Sequence, residues 1–299
     1  MHALIRKNFW PLMVTIFLAG NSWSAAERRA EHVFIISFDQ GGGEIIRNRP
    51  APEFKKMFAE GAATWQAYTI VPSITLPSHA SMLTGVGIQA HQVDWNDYQP
   101  ERGTVSVPTV FSLAKKQGLA TAMFVGKEKF KHLAVSGSVD EFFVGAHAGA
   151  IAAEFAQKIG ALKPALCFIH FAEIDHTGHR HGIGSPEQNQ AVADCDAALT
   201  VIREAVNKSG LENASVFILT ADHGGHNITN KEGKTVGTHG NSTHADVDIP
   251  WVAWGRGVKK NLTISAPVLT YDTAATALWL LGVPIPESFW GRPVISAFE

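Results

Sequence analysis

The sequence predicts an α/β fold, with one mainly parallel sheet sandwiched by helices. Three observations lead there. Continuous apolar runs rich in β-branched and aromatic residues recur along the chain, as expected of strands buried on both faces. Stretches with helical spacing lie between them and stop at glycine. Four of the apolar runs also hand over directly to polar chemistry, at Asp39, Lys127, Asp175 and Asp222. In open α/β sheets ligands bind beyond the carboxyl ends of the strands, so parallel strands would bring these four groups to one edge.

Taken in order, His32–Phe38 is the first such strand, and it ends at Asp39 before Gly41-Gly42-Gly43. Pro52 to Glu60 carries Phe54, Met57 and Phe58 at helical spacing and stops at Gly61. Ala62–Val71 reads as a further strand. Next comes Val71 to Gly85, read as a loop feeding a short helix: Pro77 suits the first turn and Gly85 the stop. Thr75 is then expected just ahead of that helix, where free N–H groups and the helix dipole favour an anion. Its hydroxyl is either a cap or a nucleophile aimed at a phosphoryl group, and this stretch alone favours the cap. Pro108–Gln117 is an amphipathic helix and Leu119–Val125 a strand ending at Gly126-Lys127-Glu128-Lys129. Ala150–Ile159 is helical, and Ala165–Phe171 is a strand leading into Glu173-Ile174-Asp175. The long helix Pro186–Asn207, the strand Ser215–Thr220 before Asp222-His223-Gly224-Gly225, and the helix Tyr271–Leu281 complete the pattern.

Composition is that of an ordinary globular chain: 299 residues, 45% hydrophobic and 17% charged, with a formal net charge of −2. The absence of any long Lys/Arg run argues against nucleic acid or an anionic membrane as the main partner. Residues 1–26 are expected to be a secretory signal peptide. Arg6 and Lys7 precede an apolar run from Phe9 to Gly20, and Ser22, Ser24, Ala25 and Ala26 follow. The run is too short for a comfortable membrane span. The expectation is a periplasmic or secreted protein whose residues 27–299 form a single catalytic domain, with no stable membrane span after cleavage. Its oligomeric state cannot be read from sequence. Cys167 and Cys195 fall in strand-like and helix-like runs and read as buried small residues rather than a disulfide scaffold.

Three carboxylates gathered at one sheet edge would repel one another unless cations held them, which points to metal. The histidines agree. Eight of the fourteen fall in two windows: His170, His176, His179 and His181, then His223, His226, His239 and His244. Asp175 and His179 stand four apart across Gly178, read as a tight turn, while Asp222 and His223 are adjacent at a strand end. Mixed carboxylate and imidazole ligands suit zinc, and by ligand type also Mn or Fe.

Phe38-Asp39, Pro72-Ser73-Ile74-Thr75-Leu76-Pro77-Ser78-His79, Asp175-x-x-x-His179, Asp222-His223-Gly224 and Thr238-His239-Gly240 stand in the order seen in the alkaline phosphatase superfamily. The chain most resembles the type I phosphodiesterase/nucleotide pyrophosphatase branch, and the tail from Tyr271 to Pro293 fits as well. The resemblance implies an alkaline-phosphatase-like core and two divalent metal ions, most simply Zn2+. One would be held by Asp175, His179 and His239, the other by Asp39, Asp222 and His223 with Thr75 as fourth ligand. It implies a phosphoester hydrolase acting on a small phosphorylated substrate, with Thr75 as nucleophile and a phosphothreonine intermediate hydrolysed by water. Asn96, in His91-Gln92-Val93-Asp94-Trp95-Asn96, resembles a phosphoryl-binding Asn. Lys127 and Lys129 resemble a substrate-facing Lys-x-Lys pair of phosphonoacetate hydrolases, and two solvated lysines would look the same.

Two departures from the family pattern stand out. Gln40 follows the first Asp where family members usually have Gly, and fifteen residues separate His223 from His239, where many relatives insert a cap. A minimal cap is therefore expected. The sulfatase register reads Thr75-Leu76-Pro77-Ser78-His79, lacking the Cys/Ser and Arg that a sulfatase needs. A phosphomonoesterase or phosphonate (C–P) hydrolase is the nearer alternative, because paired lysines would favour a dianion. A non-catalytic periplasmic zinc-binding protein is the alternative of another class.

Overall fold

The computed structural model describes residues 27–299, so the segment read as a signal peptide lies outside the described residues. In chain order the elements begin with β1 (His32–Phe38), α1 (Gly43–Arg47), α2 (Pro52–Glu60), β2 (Ala62–Tyr68), α3 (Thr75–Thr84) and α4 (Ile88–His91). They continue with α5 (Val110–Lys116), β3 (Thr121–Val125), β4 (Glu141–Val144), α6 (Ala148–Leu162), β5 (Leu166–Phe171), α7 (Glu173–His181) and α8 (Pro186–Lys208). The last are β6 (Ser215–Thr220), β7 (His226–Thr229), β8 (Thr235–Thr238), α9 (His244–Val247), β9 (Asp248–Gly255), β10 (Leu262–Thr263), β11 (Val268–Leu269) and α10 (Thr270–Leu280).

The main sheet has nine strands in the order β10-β2-β9-β6-β1-β5-β3-β4, with β11 beside β2. The expected mainly parallel α/β sheet is what forms. Its centre, β6-β1-β5-β3, is parallel throughout, with Ser37 opposite both His170 and Thr220. Every residue of β1, β3, β5 and β6 is buried, which is why these strands read as unbroken apolar runs. One apolar layer, including Phe34, Phe54, Phe155 and Leu199, packs under α2, α6 and α8. The opposite layer, including Leu83, Phe111, Phe168 and Trp251, packs against α3, α5 and α10. Among the described residues no helix is long and apolar enough to cross a membrane.

Three details differ from expectation. Strand β9 was not foreseen, and it lies antiparallel between β2 and β6. Pro250 lacks a ladder N–H, but it sits where the β2 register shifts between Thr64 and Ala67, past the end of the β6 pairing. Second, β2 stops at Tyr68 instead of running to Val71. Third, the Asp175–His179 segment is helical rather than a turn, so the two side chains are i,i+4 neighbours on one face of α7. Gly178 serves packing there: a Cβ would overlap the buried Gln40 amide. The short link between His223 and His239 folds as the β7–β8 hairpin, lying against α7.

Backbone hydrogen bonds pin the loop after β6. Gly224 and Gly225 donate to the Asp246 and Ala245 carbonyls at 2.8 Å each, and Gly42 donates to the His223 carbonyl at 3.0 Å. A Cβ on Gly224 would collide with the Ala245 carbonyl. Gly224→Ala is therefore expected to cost about 1–3 kcal/mol by thermal unfolding, as overpacking does. A variant with the parent midpoint would show that the loop has room it is not seen to have.

Candidate active site

The four strand ends do converge. Asp39 follows β1, Lys127 follows β3, Asp175 lies in the first turn of α7 after β5, and Asp222-His223 follow β6. Each carboxylate has one oxygen held by the protein and the other turned inward. Asp39 Oδ2 takes hydrogen bonds from His170 Nε2 at 2.9 Å and Lys127 Nζ at 2.5 Å. Its Oδ1 lies 3.5 Å from Thr75 Oγ1 and 3.4 Å from His223 Nε2. Asp175 Oδ2 takes Lys127 Nζ at 2.6 Å, and its buried Oδ1 has no hydrogen-bond partner. Asp222 Oδ1 accepts from the Gln40 and His223 N–H groups at 3.1 and 3.0 Å, and its buried Oδ2 is likewise unpartnered.

The imidazoles repeat the pattern. His179 Nδ1–H donates to the Gly237 carbonyl at 3.0 Å, His223 Nδ1–H to Gly224 at 2.8 Å and His239 Nδ1–H to Ser73 at 2.8 Å. Each bond fixes the tautomer that leaves Nε2 as a lone pair. His179 Nε2 lies 3.2 Å from His239 Nε2 and 3.1 Å from Asp175 Oδ1, while His239 Nε2 is 3.5 Å from that same oxygen. His223 Nε2 lies 3.3 Å from Asp222 Oδ2 and 3.5 Å from Thr75 Oγ1.

Lone pairs and carboxylate oxygens this close repel unless something positive sits among them. A proton on His179 relieves part of this, and the Asp175 carboxylate 3.1 Å away does raise the His179 pKa. One proton cannot satisfy His239, Asp175 and His179 together; a divalent cation can. Two trios meet the geometry of a cation site: Asp175, His179 and His239, and Asp39, Asp175 and His223. Asp222 adjoins the second trio through His223. Orphaned oxygens plus oriented Nε2 atoms fit two N/O-ligated metals.

Ionisation follows the same layout. Burial would raise the Asp39 pKa, but the Lys127 charge and the His170 hydrogen bond outweigh it and hold Asp39 well below the usual carboxylate range. Burial would also raise Asp175, yet its His179 and His239 contacts together with Lys127 hold it low. At Asp222, burial and the neighbouring Asp39 charge outweigh the pull of Lys127 and push it up.

Thr75 was expected just ahead of α3 and is instead its first residue; Ile74 is the N-cap, with no side-chain capping bond. The Thr75 hydroxyl is thus free of capping duty and faces Asp39 and His223. Asn96 Oδ1 accepts the Leu76 N–H at 2.9 Å, so Asn96 itself ties down one of the helix N–H groups expected to meet an anion. The cleft above Thr75 encloses about 390 Å3 and is lined by Asn96, Tyr98, Lys127, Lys129, His176 and His239, among others. Lys127 and Lys129 part company here. Lys127 bridges Asp39 and Asp175, and despite burial their charges raise its pKa. Lys129 makes no ion pair or hydrogen bond among the described residues, and burial followed by the Lys127 charge lowers its pKa. In the sequence, His79 and His170 carry no individual role beyond motif and histidine window, and both are fully buried behind the candidate ligands. A signal was present: a polar residue in a strand buried on both faces, as His170 is, must have a partner.

A family profile described as type I phosphodiesterase / nucleotide pyrophosphatase matches residues 33–267. The chain belongs to that family. Human ectonucleotide pyrophosphatase/phosphodiesterase family member 7 is 24% identical over 251 residues, covering 75% of this chain and 54% of the relative. Bovine bis(5'-adenosyl)-triphosphatase ENPP4 is 22% identical over 232 residues, covering 69% of this chain and 49% of the relative. The chain thus spans about half the length of the curated relatives it matches. Among solved structures, murine ectonucleotide pyrophosphatase/phosphodiesterase 5, an inactive threonine-to-alanine variant in complex with AMP, shares the fold. Its TM-score is 0.75 at 16% identity, over 90% of this chain and 100% of the other. A 2-O GAG sulfatase shares it too, with a TM-score of 0.71 at 14% identity, over 90% of this chain and 74% of the other. The nucleotide pyrophosphatase branch of the alkaline phosphatase superfamily therefore accounts for both motif order and fold.

Proposed function

We propose that this chain is a phosphodiester hydrolase of the nucleotide pyrophosphatase/phosphodiesterase type, using Thr75 as nucleophile. The observation carrying the proposal is the meeting of three inward-facing Nε2 atoms and three inward carboxylate oxygens beside one hydroxyl free of capping. Asp175, His179 and His239 would hold one divalent ion; Asp39, Asp222 and His223, with Thr75, would hold the other, zinc being favoured by ligand type. Paired divalent ions supply Lewis acidity and clamp the attacking and leaving oxygens of an in-line displacement.

Within that reading the chain's own groups divide the work. Thr75 Oγ attacks phosphorus, forming the phosphothreonine P–O bond while the P–O bond to the leaving alcohol or phosphate breaks. Water then cleaves the phosphothreonine and restores the hydroxyl. Asn96 keeps its amide Nδ2 donors for a phosphoryl oxygen while its Oδ1 holds Leu76. Lys129, unpaired at the cleft wall, would meet further negative charge on the substrate; Lys127 is already engaged by two carboxylates. The named relatives act as nucleotide pyrophosphatases or phosphodiesterases, so a nucleotide-type phosphoester is the proposed substrate class. An exported location is part of the proposal and rests on the Arg6 to Ala26 pattern.

A four-substrate panel tests it. With zinc, kcat/KM is expected to be highest for bis-p-nitrophenyl phosphate, lower for p-nitrophenyl phosphate and a p-nitrophenyl phosphonate, and near background for p-nitrophenyl sulfate. With Lys127 engaged by Asp39 and Asp175, one lysine is left for the extra charge of a dianion, so a monoester or phosphonate in first place would move the assignment to the alternative hydrolases. No zinc-dependent turnover of any of the four would leave metal binding without catalysis.

A further inference from the structure

The histidines in and behind the site fall into two kinds. In His179, His223 and His239 the backbone takes Nδ1–H and Nε2 faces the site. In His79 both ring nitrogens are spent on the protein. Nδ1–H donates to the Thr75 carbonyl at 2.8 Å, and Nε2 accepts from Ser37 Oγ at 2.8 Å. The ring is fully buried. Phe130, Phe168 and His170 meet it edge-on, with ring centroids at 4.8, 5.6 and 5.1 Å. Neither nitrogen is left to serve as a ligand or to meet a substrate.

We propose that His79 is a positioning residue, which through Ser37 ties the backbone of Thr75 to the strand that carries Asp39. Ser37 lies two residues before Asp39, which directly follows β1 and still donates its N–H to the Phe171 carbonyl of β5 at 3.0 Å. Ser37, His79 and the Thr75 carbonyl then form a side-chain strut across the gap between sheet and helix. The strut sets how far Thr75 Oγ1 stands from Asp39 Oδ1 and His223 Nε2, 3.5 Å in each case. Asn96 Oδ1 anchors the Leu76 N–H, but Ile74, at the N-cap of α3, supplies no side-chain anchor of its own, and the strut adds a tie at Thr75 itself. The ring cannot swing away, because the three aromatic neighbours occupy the space it would need. In-line attack tolerates little displacement, and a shift near 1 Å costs on the order of 100-fold in rate.

The proposal rests on Thr75 being the nucleophile, so Thr75→Ala is run alongside. With bis-p-nitrophenyl phosphate and zinc, His79→Phe is expected to lower kcat by about 100-fold. KM is expected to stay within about threefold, since no substrate-facing group is altered. His79 Nδ1 also lies 3.5 Å from Asp222 Oδ2, so bound metal is measured alongside and is expected to stay at the parent level. Ser37→Ala removes one hydroxyl and is expected to lose about 5–10-fold in kcat, the worth of one hydrogen bond. The double variant should be no slower than His79→Phe alone, because a strut cut once is already cut. His79→Asn, whose amide can still reach the Thr75 carbonyl, should recover part of the loss. Parent kcat in His79→Phe, or losses that multiply in the double variant, would overturn the inference. If His79→Phe does not fold, Ser37→Ala decides alone, and an unchanged kcat there rejects the strut. An active Thr75→Ala would instead defeat the underlying reading, which keeps the two failures apart.

Discussion

Thr75→Ala is expected to abolish phosphodiester turnover while leaving fold and metal content in place. The hydroxyl has no structural task that would confuse the result. It caps nothing, since Ile74 is the N-cap, and its two polar contacts are long at 3.5 Å. The midpoint of thermal unfolding should therefore move little, a change below about 1 kcal/mol. Turnover should fall by roughly 10^3- to 10^6-fold, the range seen when a nucleophile is removed and binding groups remain. Metal is expected to stay because the proposed imidazole and carboxylate ligands Asp39, Asp175, His179, His239, Asp222 and His223 are untouched. Thr75→Ser, which keeps an oxygen but loses the methyl that fixes the rotamer, should fall between. Acid quench of the parent with a labelled diester should trap label on Thr75, and the alanine variant should trap none. Activity within tenfold of the parent would end the nucleophile assignment.

Much of this site was legible before the coordinates, and the reasons are physical. Strands β1 and β6 and helix α2 were read to their observed bounds, because each strand is an uncharged, largely apolar run ending just before an aspartate, and α2 is bracketed by Pro52 and Gly61. Asp39 and Asp222 stand out for the same reason: each is the first charge after such a run. Strand β9 was hidden by Pro250 and by the polar Asp248 at its start, although five of its eight residues are buried. Helix α7 was hidden because only Ile174 and Gly178 face inward besides Asp175, so it has no apolar stripe to detect. Lys127 could not be placed from sequence at all. A lysine at a strand end reaches either a substrate or a neighbouring strand's carboxylate, and the arrangement of β1, β3 and β5 puts two carboxylates within its reach. The roles of His79 and Ser37 likewise depend on the distance between α3 and β1, which no local pattern encodes.

Stripping divalent ions with a chelator should remove activity entirely and lower stability, and both should return with zinc. The metal-free site holds three aspartates against one engaged lysine, with two carboxylate oxygens lacking any hydrogen bond. Ions bound at 100 times their dissociation constant would each add about 2.7 kcal/mol to folding stability, so metal-free protein should unfold several degrees lower. Single substitutions then separate the two positions. Asp175 belongs to both trios that meet cation geometry, whereas His239 belongs to one. His239→Ala should take bound metal from two ions per chain to one. Asp175→Asn should weaken both, and should also release Lys127 from one of its two partners. Both variants should lose at least about 100-fold in kcat/KM, because a single remaining ion cannot hold attacking and leaving oxygens at once. Metal analysis after dialysis, with thermal unfolding in chelator and in zinc, reads these differences without relying on turnover. Should His239→Ala keep two ions, or should chelator leave the unfolding midpoint where it was, these residues would be an ordinary buried hydrogen-bond network. The close approach of His179 Nε2 to His239 Nε2 would then have to be held by a shared proton alone.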